Sequence, residues 1–290
     1  MRHLFIGHGS IARKHIANLS RLDPSAQIET YDPFVEDATY RDEDLPELCH
    51  AAVVYICSPT QLHYEHLRLV NESNPIGVFV EKPMVGKDQS VKGFKYLART
   101  VPFAVGYNYR YHPLFRKIRN DLSDRLLYFH IYGSESVKSK YGATALETML
   151  SHSIDLALWI CGESKAHSTF DIGDISLAAM RHHSNITSYL HADMASYFRV
   201  ATCTILLKND KTKIVINEDD SVVVSGGMER QHWFIEPDEN MRRLEMKAWL
   251  NYLKTGDRGD LCSFEEAVRV QEIMNPNSPL FNPNVDRVAL

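Results

Sequence analysis

Five cysteines in 290 residues form no C-x-x-C pair, and an odd number argues against a disulfide framework. No uncharged apolar run approaches the roughly 18 residues needed to span a bilayer. The first apolar stretch, Leu4-Phe5-Ile6, is too short for a signal-peptide core. These absences predict a reduced, cytoplasmic protein with no membrane partner. Basic residues are in deficit, 32 Lys and Arg against 37 Asp and Glu for a net charge of −5, which leaves no electropositive footprint for nucleic acid. HExxH, zinc-like Cys/His spacing, a G-x-S-x-G elbow and a Walker A loop are all missing. None of the 14 tyrosines has a lysine four residues later, which removes the Tyr/Lys pair of short-chain dehydrogenases. His182-His183 and His191 therefore read as solvated or core histidines, and no metal is expected.

What is present is an ordinary globular composition, 44% hydrophobic and 24% charged, at a length that suits about two domains. The first hundred residues alternate apolar runs with helical spacing. Leu4-Phe5-Ile6, Gln27 to Tyr31, Ala51 to Ile56, Ile76 to Val80 and Phe103-Ala104-Val105 read as strands. Two of these runs are nearly continuous in apolar residues, as parallel strands covered on both faces are. Helices are expected after the first run, with Ala12, Ile16 and Leu19 on one face, and near residues 61–72 and 87–99. This alternation predicts a doubly wound parallel sheet.

Beyond residue 118 the texture changes. One strong helix is expected around 144–161, followed by Val200 to Leu207, Ile214-Val215-Ile216 and Val222-Val223-Val224. The links between these runs are too short for a parallel crossover, so they read as an antiparallel meander. Helices at roughly 239–254 and 264–274 close the pattern, with Trp233, Trp249 and Phe264 as core or interface residues. The expected fold class is therefore α/β, a parallel-sheet domain over 1–118 followed by an α+β domain over 119–290 with an open-faced, mostly antiparallel sheet.

Gly7-His8-Gly9-Ser10-Ile11-Ala12 fits G-x-G-x-x-G/A between the first strand and the first helix. The first glycine permits the tight turn, the second lets backbone approach a pyrophosphate, and the helix N-terminus supplies N–H groups. Asp32 closes the second strand, 20 positions past Ala12, where an acid bonds the adenosine ribose hydroxyls. A carboxylate there repels a 2′-phosphate, so NAD is favoured over NADP. Two further strand ends face the ligand crevice of such a sheet: Cys57-Ser58-Pro59-Thr60-Gln61-Leu62-His63 and Glu81-Lys82-Pro83. A lysine held by its backbone at a buried strand's end can polarise a carbonyl or hydroxyl, although the tripeptide alone suits a solvated lysine equally well. Cys57 reads as packing.

Together with Gly106-Tyr107-Asn108-Tyr109-Arg110-Tyr111-His112-Pro113 and Ser151-His152-Ser153-Ile154-Asp155, these motifs resemble the Gfo/Idh/MocA oxidoreductases, in family order over roughly the first 160 residues. The resemblance implies a Rossmann domain, a bound nicotinamide cofactor and hydride transfer at a carbinol carbon, usually of a sugar or cyclitol. It implies cofactor contacts from Gly7, Gly9, Ser10, Ile11, Asp32, Ser58, Thr60, His63 and Glu81. Lys82 maps to the substrate-polarising lysine and His152 to the proton acceptor, with Asp155 at i+3 to orient the imidazole. Asn108 and Arg110 border the crevice as candidate substrate residues, with Thr148 and Asp155 as further candidates; a hinge-stabilising arginine is an equal alternative for Arg110. Many members carry an acid four residues before the histidine. Thr148 stands there instead, and Glu147 lies about 100° away on an ideal helix.

The family commonly runs longer than 290 residues, which implies shortened loops in the second domain. Self-association as a homodimer or homotetramer through the C-terminal sheet is expected, because an open sheet face tends to be covered. Two rival readings remain open at this point: a non-catalytic dinucleotide sensor, and a reductase of a non-sugar substrate of dihydrodiol or tetrapyrrole type.

Overall fold

The computed structural model describes residues 1–122, 126–134, 143–195, 200–207, 211–216, 222–226, 229–233 and 241–275. By packing, the chain divides into two compact units: Met1–His112 with Glu236–Val268, and Pro113–Ile235 with Arg269–Leu290.

The first unit holds β1 (Arg2–Ile6), α1 (Ser10–Leu22), β2 (Gln27–Tyr31), α2 (Leu45–Cys49), β3 (Val53–Ile56), α3 (Thr60–Asn71), β4 (Gly77–Glu81), α4 (Lys95–Thr100) and β5 (Phe103–Gly106). All five strands are parallel in the order β2-β1-β3-β4-β5. The chain thus winds outward in both directions from β1 and β3, which is the doubly wound arrangement expected. Leu4 to Ile6, Val53 to Ile56 and Val78 to Val80 are fully buried, which is why their sequences show no alternation. Two helical expectations need correction. On α1 the buried positions are Ala12, His15, Asn18 and Leu19, with Ile16 only partly buried, so the face is turned toward polar residues. The helix expected over 87–99 is only Lys95–Thr100, preceded by a single 3₁₀ turn. Residues 86–89 are instead closed into a turn: the Gln89 N–H donates to the Gly86 carbonyl, and the Gln89 side chain accepts the Gly86 N–H at 2.9 Å.

Helix α7 (Met241–Thr255), which the sequence groups with the second half, packs in the first unit. Met241, Met246, Trp249 and Leu250 join the cluster of Phe5, Val53, Tyr55 and Phe79. A buried polar chain fixes the helix there. The Trp249 indole N–H donates to the Tyr55 hydroxyl at 3.1 Å, and that hydroxyl lies 3.0 Å from His3 Nδ1. Tyr55 also stacks on Phe5 at 4.2 Å between ring centres. Helix α8 (Phe264–Met274) follows.

The second unit contains α5 (Pro113–Lys117), β6 (Leu126–Ser134), α6 (Ser151–Cys161), β7 (Ser164–Asp171), β8 (Ile175–His182), β9 (Thr187–Asp193), β10 (Val200–Leu207), β11 (Lys211–Ile216), β12 (Val222–Gly226) and β13 (Glu229–Trp233). These strands form one sheet, β13-β12-β11-β10-β6-β9-β8-β7, antiparallel throughout except between β6 and β9. Its buried face carries Phe129, Ile131, Ala178, Met180, Leu190, Cys203 and Ile205. On the opposite face Phe170, Leu177 and Tyr189 are exposed. His182, read from sequence as solvated or core, is a satisfied core residue bonded to the Gly162 carbonyl and Ser188 Oγ.

Tyr55→Phe removes the partner of both Trp249 and His3 and should lower stability by about 1–3 kcal/mol, read as an earlier midpoint in urea. Burial holds His3 down at about 4 against 6.5 in an unfolded chain, so on acidification the unfolded state takes the proton first. Stability is full above pH 6.5 and declines toward pH 4; unfolding curves of His3→Gln across that window should show a shallower decline.

Candidate active site

The turn between β1 and α1 is built on close approach. The Gly7 N–H donates to the Tyr31 carbonyl at 2.8 Å, and its φ is +93°. A Cβ there would lie 2.7 Å from the Ser58 backbone nitrogen, so only glycine fits. Gly9 is the opposite case, with nothing within 4 Å of where its Cβ would project. Gly9 also caps α1 without any side-chain bond, so the first-turn N–H groups of Ser10 and Ile11 lie at an uncapped helix N-terminus. Asp32, just past β2, accepts the His8 N–H at 2.9 Å on one oxygen and the Phe34 N–H at 3.0 Å on the other. Each oxygen retains a lone pair for a further donor. Gly7, Gly9, Ser10, Ile11 and Asp32 are thus brought together, and the open side of Gly9 beside uncapped N–H groups fits a dinucleotide.

The ends of β3 and β4 form the second cluster. Thr60 opens α3, and Ser58 sits in the loop before it with its Oγ 2.8 Å from His66 Nδ1. His63 is buried. Its Nδ1 lies 2.8 Å from the Pro83 carbonyl and its Nε2 2.8 Å from the Ser58 carbonyl, so the ring joins the two loops. Burial pushes its pKa down, and a neutral ring donates to one of those carbonyls at a time. Glu81, the last residue of β4, is buried with its Oε1 2.5 Å from His15 Nε2. Burial alone would raise its carboxyl. The hydrogen bond and charge of His15, with Lys82 and Arg242 nearby, outweigh that and hold it below the ordinary glutamate range. Lys82, half-buried, therefore lies between two residues that are each gripped by a buried histidine. His15 was given no role in the sequence reading, although it closes the stretch Gly9 to His15 that resembles G-S-I-G-x-x-H.

Asn108 and Arg110 lie in a 3₁₀ turn after β5. Asn108 is buried, and its amide nitrogen finds no hydrogen-bond partner among the described residues. Arg110, 2% exposed, donates to Glu266 Oε1 at 3.2 Å, and Arg258 and the Ser263 N–H hold the other Glu266 oxygen. The structure thus engages the Arg110 guanidinium in fixing the start of α8.

In the second unit His152, half-buried, is the second residue of α6, and Asp155 is fully buried one turn on. Thr148 hydrogen-bonds back to the Thr144 carbonyl at 2.6 Å and lies 3.0 Å from Met194 Sδ. Residues Leu146–Leu150 form a π-helical turn. The 100° per residue that set Glu147 aside therefore does not hold across this segment, because an i→i+5 turn contains an extra residue.

Residues 1–108 match the profile of the Gfo/Idh/MocA family, described as an oxidoreductase family with an NAD-binding Rossmann fold. Over those residues the chain is similar to the NAD-binding domain of that family. No curated protein matches the chain in sequence. Among solved structures, the chain is similar to UDP-N-acetylglucosamine 3-dehydrogenase GnnA from Acidithiobacillus ferrooxidans, with 16% identity, TM-score 0.80, and 94% of this chain and 95% of that one covered. A levoglucosan dehydrogenase in complex with NADH matches at 15% identity and TM-score 0.77, covering 94% and 95%. The dehydrogenase MviM from Clostridium difficile matches at 16% and 0.75, covering 94% and 97%. At these identities the likeness is one of fold, and it extends over 94% of this chain. Because nearly the whole of each structure is covered, the shortened second domain expected from family length does not appear against them.

The two glycines of this turn meet opposite surroundings. Gly7→Ala should destabilise the protein by about 2 kcal/mol or more, since its φ and its backbone neighbour both resist a Cβ. Gly9→Ala should leave the melting temperature within about 2 °C of wild type and weaken NADH binding at least about tenfold, because the methyl would meet no protein atom and would project beside the uncapped helix N-terminus. Calorimetry with NADH fluorescence titration checks both.

Proposed function

We propose that the chain is an NAD-dependent dehydrogenase acting on a hydroxyl or keto carbon of a sugar, sugar acid or nucleotide-sugar-like substrate. The observation that carries this reading is the strand-end constellation: the turn of Gly7 and Gly9 with Asp32 beside it, and Lys82 held from both sides at the end of β4. The dehydrogenases of similar fold, one named for a UDP-sugar and one for levoglucosan, support the substrate class. On this reading residues 1–118 serve the cofactor and 119–290 the substrate and self-association.

Gly7, Gly9, Ser10 and Ile11 would hold the pyrophosphate, Asp32 the adenosine ribose, and Ser58 and Thr60 the crevice edge. We read His63 and Glu81 as supports of that crevice, since both are buried and bonded within the protein. A nicotinamide held there would supply the hydride chemistry. Lys82 places its ammonium on the reacting oxygen and stabilises alkoxide character, and His152 takes or returns the hydroxyl proton. Asn108, with a buried amide in want of an acceptor, suits a substrate hydroxyl. Arg110 is better read as structural.

The face bearing Phe170, Leu177 and Tyr189 is our choice for self-association into a dimer or tetramer. A cytoplasmic setting suits five cysteines that are all unpaired.

Sugars, sugar acids and nucleotide sugars screened with NAD at the NADH absorbance should reveal a substrate. Lys82→Ala and His152→Ala should then each lower turnover by about 10²–10⁴-fold while leaving NADH binding nearly unchanged. Full activity in both variants would mean that these residues do not carry the reaction.

A further inference from the structure

The ribose end of the dinucleotide turn contains a second acid that the motif does not require. Asp37, in the loop after β2, accepts Arg13 Nη2 of α1 on both carboxylate oxygens, at 2.9 and 3.0 Å. His8 spans the two acids: its backbone N–H bonds Asp32, and its ring Nδ1 lies 3.5 Å from Asp37 Oδ1. We propose that Asp37 is a specificity-determining residue, excluding the 2′-phosphate of NADP by keeping the Arg13 guanidinium occupied; this rests on the reading of the turn as an NAD site.

A 2′-phosphate would bring close to two negative charges to a corner where His8 already stands between the carboxylates of Asp32 and Asp37. Guanidinium is the side chain best suited to grip a phosphate, through paired N–H donors. Arg13 is a cation at this corner, and Asp37 holds it. The Arg13 hydrogen bond keeps the Asp37 carboxyl below its ordinary range, so the acid stays charged at neutral pH. The pair is about half exposed, with Arg13 at 52% and Asp37 at 62%, and an ion pair of that kind adds little to folding stability. Its consequence is therefore local: it decides which anion Arg13 serves. It also follows that replacing Asp32 alone, the usual acid at this position, leaves Arg13 engaged.

The test is titration of wild type, Asp32→Ser, Asp37→Asn, Asp32→Ser/Asp37→Asn and Asp37→Asn/Arg13→Ala with NADH and with NADPH. Asp37→Asn should tighten NADPH by about tenfold with the NADH Kd within about threefold, and Arg13→Ala should abolish that gain. The Asp32→Ser/Asp37→Asn variant should bind NADPH more tightly than the two single effects combined, because only there is the arginine released and the ribose acid removed. If NADPH binding is unmoved by Asp37→Asn, or its gain survives loss of Arg13, the inference is overturned while the cofactor reading stands. A wild-type protein that binds neither nucleotide overturns both.

Discussion

The contact on which the first unit turns is the buried pair of His15 and Glu81. It joins the helix that begins at the glycine turn to the strand that ends just before Lys82, and it does so in the buried interior of the unit. An uncompensated carboxylate at that depth would cost several kcal/mol, so the strand end is stable only while the imidazole faces it. Gly106 of the neighbouring strand completes the enclosure, since a Cβ there would stand 3.2 Å from Glu81 Oε1. A larger residue on β5 would press on that carboxylate and shift the base of Lys82. The charge of Glu81, the start of α1 and the placement of Lys82 are in this sense one constraint.

The second histidine extends the argument. His63 reaches the carbonyls of Ser58 and Pro83, so the loops after β3 and β4 are held to one spacing. Lys82 is consequently positioned through its neighbours on both sides, while its own side chain stays half-buried. A reactive group on rigid strand ends keeps its geometry better than one on a loop that must order itself. The same economy appears at Gly7, where the approach to Ser58 nitrogen is so close that β1, α1 and the β3 loop share a single steric limit.

How much of this was legible in the sequence depended on what each face of an element touches. The parallel strands were legible because both of their faces are buried, leaving uninterrupted apolar runs such as Val53 to Ile56. Strands β6 to β9 were not singled out. Their inward positions include Ser176, Ala178, His182, Ser188 and Ala192, so the period-two apolar signal is faint although the residues are buried. Aromatic side chains of the same strands lie on the outward face, Tyr128, Tyr132 and Tyr189 among them, which blurs the alternation further. The turn and the place of Asp32 after β2 were legible because close backbone approach dictates them, whereas Lys82 was singled out by resemblance. His15 was not, because its partner lies 66 residues away at a strand end. The return of α7 escaped too, since the Trp249 to Tyr55 bond spans 194 residues and no local pattern encodes it.

The π-turn before α6 shows why spacing rules need the backbone they assume. An α-helical count puts Thr148 on the side of His152 and Glu147 well off it. An i→i+5 turn makes residues five apart the neighbours, and Glu147 is five before His152. Thr148 meanwhile spends its hydroxyl on the Thr144 carbonyl, a back-bond that an interior threonine readily makes. Such a turn persists only where surrounding packing supports its poorer geometry, and here Leu146 and Leu150 are both fully buried. The α-helical spacing that set Glu147 apart from His152 therefore does not apply here, on a helix whose register the buried leucines hold.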